Sequence, residues 1–239
     1  MQPYFFPYIG YFQLMASCDV FVIHDDVQFI KRGWIHRNRI WLNGSAQWLT
    51  RPVVAAPHEA PINGRFYDSA ASIVPGLVRR LEGAYRSASH FKEGMAIVEE
   101  VLADENLNVA AFNLRLLSVV ARHLDIGSRI ECSSRLQKND ALRAQDRVVD
   151  ICRTVGASSY INPIGGVALY DAPAFDRFGI ELRFLNPEPS PYAQEGDDFV
   201  PSLSIIDMLM FTGVAGARAR LGQYRLLRPD EAPAASSNI

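Results

Sequence analysis

The feature that most constrains this chain is the run Val20-Phe21-Val22-Ile23, four apolar residues without alternation that lead straight into His24-Asp25-Asp26. An unbroken apolar run of this length is what a parallel strand covered on both faces requires, since a half-exposed strand would alternate. Its polar end is where an open α/β sheet carries its chemistry. The preceding stretch, QPYFFPYIGYFQLMAS, reads as a Pro-bounded extended start followed by a helix over residues 8–17. An α/β unit of this kind needs a buried strand immediately before its first loop, yet only Met1 precedes Gln2. The expectation is a start several residues upstream or an unusually short first strand.

The rest of the chain continues in the same grammar. Asn43-Gly44 is a hairpin signal, with arms at 40–42 and 48–49, and residues 51–67 are a Pro, Ala and Gly-rich connection. Apolar spacing predicts helices over 73–86, 90–102 and 109–124, with Gly127 as the stop of the third. Strand, helix and strand follow at 129–132, 142–155 and 159–162, with Gly156 ending the helix. A partly helical stretch at 169–178 then leads through Gly179 into the strand IELRFL and the loop NPEPSPY. A last helix over 204–211 has Ser204 as its cap and Asp207 in capping-box relation. The expected fold is α/β, an open, mostly parallel Rossmann-like sheet with a hairpin and a helical middle. It forms a single domain over residues 1–228 with a helical insert near 73–124 and a frayed tail over 229–239.

Composition narrows the function classes. With 24 Lys plus Arg against 26 Asp plus Glu, the net charge of -2 gives no general attraction for nucleic acid or an anionic membrane. Only Lys31, Lys92 and Lys138 are lysines, so the basic class is almost wholly guanidinium, which suits carboxylate and phosphate. No apolar run approaches a membrane span. The three cysteines, Cys18, Cys132 and Cys152, are too far apart for a CxxC signature and predict reduced thiols in a cytoplasmic protein. HExxH, GxSxG, Walker and GxGxxG patterns are missing, which disfavours hydride transfer and P-loop chemistry.

Two segments concentrate polar and aromatic chemistry. After the first strand come His24, Asp25, Asp26, Gln28, Lys31, Arg32, His36, Arg37, Asn38 and Arg39, with carboxylates able to orient a basic partner or hold a divalent cation and guanidiniums able to take phosphate. Of the two carboxylates, Asp26 is expected to face the pocket and Asp25 to pair with an arginine. The opening loop offers Gln2, Tyr4, Tyr8, Gly10 and Tyr11, where rings can stack a base or sugar and Gly10 permits close approach of an anion. The competing reading is that these rings plug one end of the sheet. Gly165 and Gly166, after the strand ending at Asn162, form a candidate anion turn, and Ser133 and Ser134 end another strand. Tyr192, Gln194 and Phe199 are a candidate lid.

The blocks QPYFFPYIGYF (2–12), DVFVIHDDVQFIKRGWIHRNRI (19–40), YINPIGG (160–166), LYD (169–171) followed by FGI (178–180), and YAQEGDDFVPSLSIIDMLMFTG (192–213) resemble the WbqC-like proteins. The resemblance implies a role in surface-polysaccharide or O-antigen assembly, with aminoacyl or acyl decoration of amino sugars among the activities suggested. By the family pattern, Gln2, Pro3, Tyr4, Pro7, Gly10, Tyr11, Asp25, Asp26, Gln28, Arg37, Asn38, Arg39, Gly165, Gly166, Tyr170 and Asp171 carry the weight. The leading expectation is a biosynthetic transferase acting on a small-molecule substrate, nucleotide-linked or similarly activated. In it His24 or Asp26 takes the proton, Tyr4 or Tyr8 stacks, and Arg37 and Arg39 hold phosphate or carboxylate. No cofactor and no metal site are assigned by the sequence.

Two alternatives stand beside it. The opening loop also resembles that of nucleotidylyl-transferase-like folds, implying an ATP-dependent adenylyltransferase or ligase, but Tyr11 stands where that motif has its second histidine and a tyrosine cannot become a cation. The other alternative is a non-catalytic binding component of a glycan pathway.

Overall fold

The structure is a computed structural model that describes residues 1–188, 190–195 and 198–233. The loop emerging from Met1 feeds helix α1 (Ile9–Ala16), which is buried nearly all round, and then strand β1 (Val20–Ile23). The hairpin of β2 (Arg37–Leu42) and β3 (Ser45–Thr50) turns at Asn43 and Gly44, both with positive φ as a primed two-residue turn demands. Helices α2 (Ile73–Tyr85), α3 (Phe91–Leu102) and α4 (Val109–His123) form the helical middle. The Asn108 side chain caps α4, accepting from the Ala111 N–H. That helix ends on Asp125 in the left-handed region, ahead of the Gly127 the sequence suggested; Asp tolerates that conformation better than most residues.

Beyond the middle lie β4 (Arg129–Cys132), α5 (Ala144–Thr154), β5 (Ser159–Pro163), the short α6 (Ala172–Asp176), β6 (Glu181–Pro187), α7 (Ile205–Arg218) and β7 (Tyr224–Leu227). Gly156 and Gly179 supply the positive φ that ends α5 and opens β6. α7 runs longer than expected and kinks at Gly213. Only half of its predicted capping box forms. Ser204 Oγ accepts from the Ile206 N–H, but the Asp207 carboxylate turns instead to side-chain donors. β7 escaped the sequence reading, because YRLL is short and borders what reads as a tail. Residues 234–239 of that expected tail lie outside the described residues.

The expectation of one open sheet needs correction. The fold is mixed α/β, but among the described residues the strands form three separate sets: β1 with β4 in parallel, the β2–β3 hairpin, and β5 parallel to β6 with β7 antiparallel on the far edge. The break falls between β1 and β5, where a cavity of about 500 Å³ lies between Val20, Phe21 and Val22 on one wall and Ser159, Tyr160 and Ile161 on the other. The apolar interior divides in the same way. A large core joins α1–α4, β1, the hairpin and α7; a smaller one gathers Val148, Val149, Cys152, Phe175, Ile180, Leu182 and Phe184. At the top of the gap Met1 makes a one-residue parallel bridge to β1, donating to Val22 O at 2.7 Å and accepting from the His24 N–H at 2.8 Å.

Candidate functional site

β1 and β4 run in parallel register, Ile23 opposite Cys132, so both chains leave the sheet at the same end and there deliver His24-Asp25-Asp26 and Ser133-Ser134 side by side. Asp25 accepts from the Ser134 N–H at 3.0 Å and from its hydroxyl at 2.5 Å. The expected pairing of Asp25 with an arginine is replaced by this contact. Asp26 accepts from the Ser133 hydroxyl and faces two cations, Lys138 Nζ at 2.7 Å and Arg147 Nη2 at 2.6 Å. Lys138 also reaches Asp140 at 2.8 Å, and its side chain is only 2% exposed.

α5 follows β4, so its first turn sits over the strand ends and brings Arg147 in. The Arg147 guanidinium is incompletely satisfied: its Nη2 is within ion-pair distance of Asp26 but poorly aligned for a hydrogen bond, and its buried Nε has no partner. Burial would raise the Asp26 pKa, but the hydrogen bonds from Lys138 and Ser133 and the charge of Arg147 outweigh it and hold the carboxyl below its ordinary value of 3.8. Asp26 is therefore an ionised group already claimed by two cations. His24, beside it, is pushed down to about 3 by burial and by the positive charges of the Met1 amine and Arg147, against the pull of Asp26. Its imidazole is neutral at physiological pH, with a buried Nδ1 that has no partner. Among the described residues, no three His, Cys, Asp or Glu side chains converge to hold a metal ion.

The opening loop is a structural clamp over much of its length. Asn38 Nδ2 donates to the carbonyls of Phe5 and Phe6 at 3.1 and 2.9 Å, Asn113 Nδ2 to those of Pro3 and Ile35 at 2.8 and 2.6 Å, and Ser204 Oγ to Phe6 O at 2.8 Å. These contacts from β2, α4 and the start of α7 hold Phe6 at a φ of 41°, a conformation a phenylalanine adopts only when its surroundings impose it. Phe5, Phe6, Tyr11 and Phe12 are core, as the plug reading anticipates. Tyr11 donates its hydroxyl to Gln2 O at 2.9 Å, so the position compared with a catalytic histidine is an internal brace. Tyr4 and Tyr8 are half-buried neighbours, and burial raises both phenols. The Tyr8 ring folds over Gly10, leaving no room there for a Cβ.

The hairpin arginines are engaged elsewhere. Arg37 donates to the carbonyls of Gly33 and Arg32 and lies 4.0 Å from the Trp48 ring; Arg39 lies 5.7 Å from Trp34, and the two indoles meet at 5.1 Å. Neither has a contact with Asp26, so one pocket uniting Tyr4, Asp26 and Arg37 is not what this geometry provides. Asn38 is buried in the loop clamp, and Gln28 meets His58 at the surface at 2.9 Å. Across the gap, Asn162 lines the same cavity as His24. Gly165 and Gly166 both lie in the short 3-10 turn Ile164–Leu169 that leads to Tyr170, and Gly166 packs so tightly on Asn162 that a Cβ would clash.

A second cavity, of about 260 Å³, lies under the loop before α7 and is lined by Tyr8, Tyr192, Phe199 and Arg220 among others. Tyr192 and Gln194 anchor that loop on Asp207. Sequence reasoning missed Lys138 and Arg147 as partners of Asp26. The available signal was position alone: a lysine in a chain with three, and a first-turn arginine on the helix following a strand that ends in serines.

The architecture defines an α/β protein with a charged cluster over the ends of parallel strands. The chain matches the WbqC-like protein family over residues 2–219 and belongs to that family. It is 29% identical over 222 residues to the uncharacterized protein Rv1507c of Mycobacterium tuberculosis (strain ATCC 25618 / H37Rv), covering 89% of this chain and 92% of that one. No solved structure matches it. Among the described residues, no helix is long and apolar enough to cross a membrane.

Proposed function

We propose that this chain is a biosynthetic transferase of polysaccharide-related metabolism that binds an anionic, nucleotide-linked or similarly activated small molecule over the ends of β1, β4 and β5. The observation that carries the reading is Arg147, a guanidinium with an unpartnered Nε held beside Lys138 and neutral His24. Burying a cation with open donors is costly, and an incoming phosphate or carboxylate would complete it. Asp26 in this arrangement acts first as an organiser, keeping Lys138 and Arg147 together until the anion arrives. Displaced from them, its carboxylate becomes free to accept a proton from an attacking amine or hydroxyl, with His24 as a neutral hydrogen-bonding neighbour.

Calorimetric titration with uridine and thymidine diphosphate-sugars and with acyl donors tests this. Binding that weakens about tenfold or more in Arg147→Ala, in line with the loss of a charge-assisted contact, is expected. Folded protein that binds no member of the panel would end the proposal.

A further inference from the structure

The gap between β1 and β5 has the shape and the hydrogen-bonding pattern of a strand position. Neighbouring residues of a strand point their backbone groups to opposite sides. Asp19 O accepts from the Arg129 N–H on the β4 side, so Val20, Val22 and His24 aim their N–H and C=O groups at the gap. On the other wall, Ser158 O accepts from the Glu181 N–H of β6, so Ser159 and Ile161 face the gap. Two facing rows of strand polar groups bound a cavity whose side chains, including Leu14, Phe21, Val148, Ile151 and Cys152, are largely apolar. Unpaired backbone groups beside an apolar void are costly, and native folds avoid them.

Met1 already occupies the top of this position in parallel register with β1. Its amino group is fully buried, and burial pushes that amine down to about 5 against the opposing influence of Cys18. An amide nitrogen would occupy the same place without any charge to desolvate.

We propose that the gap is the seat of a further parallel strand, supplied by polypeptide that continues N-terminally from Met1. The residue two places upstream of Met1 would donate to Val20 O and accept from the Val22 N–H, and the intervening residue would face Ile161. Three or four residues with apolar side chains on both faces would fill the gap and join the two cores into one. The sheet order would then be β4, β1, the added strand, β5, β6, β7. This is the doubly wound order in which the first strand lies at the centre and ligands bind over its C-terminal end. The opening loop would issue from that central strand, next to the Asp26 cluster. This inference concerns the sheet and stands whether or not the cluster binds a nucleotide-sugar.

The test compares three chains: one beginning at Met1, one extended upstream by Met-Thr-Val-Val-Val, and one extended by Met-Gly-Ser-Gly-Ser. Amide exchange at Val20, Val22, Ser159 and Ile161 is followed by NMR alongside Tm. The valine extension is expected to slow these amides about tenfold or more and to raise Tm, while the glycine-serine extension does neither. Equal behaviour of the two extensions would overturn the proposal. So would an intact mass of the natural protein that begins at Met1.

Discussion

Asp26 and Asp207 are both hydrogen-bonded carboxylates at the margin of a secondary-structure element, and their surroundings push them in opposite directions. Asp26 meets Ser133 and the cations Lys138 and Arg147, and stays below the ordinary carboxylate value. Asp207, at 0% exposure, meets only neutral side-chain donors among the described residues: the hydroxyls of Tyr85 at 3.0 Å and Tyr192 at 2.7 Å, and Gln194 Nε2 at 2.9 Å. Burial lifts its pKa, and those three hydrogen bonds only partly oppose the rise. A carboxylate among neutral donors ties α2, the loop before α7 and α7 together and has no partner to exchange. A carboxylate among cations holds charges that another anion can take over. The first arrangement is structural, the second is suited to a ligand.

The largest effect expected from breaking that contrast is at Asp207. Asp207→Ala leaves the phenols of Tyr85 and Tyr192 without their acceptor, while Gln194 keeps Val200 O, and at about 1–3 kcal/mol for each unsatisfied group the loss should be on the order of 4 kcal/mol in urea unfolding. A loss below about 1 kcal/mol would show that Tyr85 and Tyr192 readily find other acceptors, and the tie would lose its meaning. Asn113 does the same work for the opening loop, accepting from Tyr67 and donating to Pro3 and Ile35. Asn113→Leu should cost about 3 kcal/mol by the same measurement.

Asp26→Asn should behave differently. The side chains of Asp26, Lys138 and Arg147 are only 16%, 2% and 11% exposed, so removing the negative charge leaves two largely buried cations without the carboxylate they share and should cost about 3 kcal/mol in urea unfolding. With one negative charge removed, Lys138 and Arg147 are freer to meet phosphate, and calorimetric affinity for a diphosphate-sugar should rise about fivefold. Unchanged affinity would mean that Asp26 does not stand in for a ligand anion.

Much of this contrast was unreadable in the sequence, for identifiable reasons. β1, β4 and the hairpin follow from local pattern: an unbroken apolar run, small polar residues at a strand end, and Asn-Gly at a turn. The acidic end of β1 is legible as a polar cluster. Its partners are not, because Lys138 and Arg147 arrive only through the β4–α5 crossover. The hairpin arginines look equally available in one dimension, yet their neighbours Trp34 and Trp48 draw them onto ring faces. Asn38 and Asn113 lie on separate elements, and only packing reveals that both brace the same loop. Asp207 fits a capping box so well in sequence that its real partners, over 120 positions away in the case of Tyr85, leave no trace.

The smallest effect is in the pH dependence, and its sign separates the two carboxylates. Asp26 has a folded pKa below its unfolded one, so its contribution to stability is present above about 3.8 and disappears as pH falls through the depressed folded value. Asp207 has a folded pKa above its unfolded one. Its protonated form favours the folded state at low pH, and that contribution fades as pH rises from 3.8 through the folded value. Urea titrations across the acid range should therefore show the advantage of the wild type over Asp26→Asn shrinking toward low pH. For Asp207→Asn the stability of the variant relative to the wild type should instead improve as pH rises, because an amide never has to ionise in that buried nest. Parallel curves for both variants would place the two groups in equivalent surroundings, against the geometry of their partners.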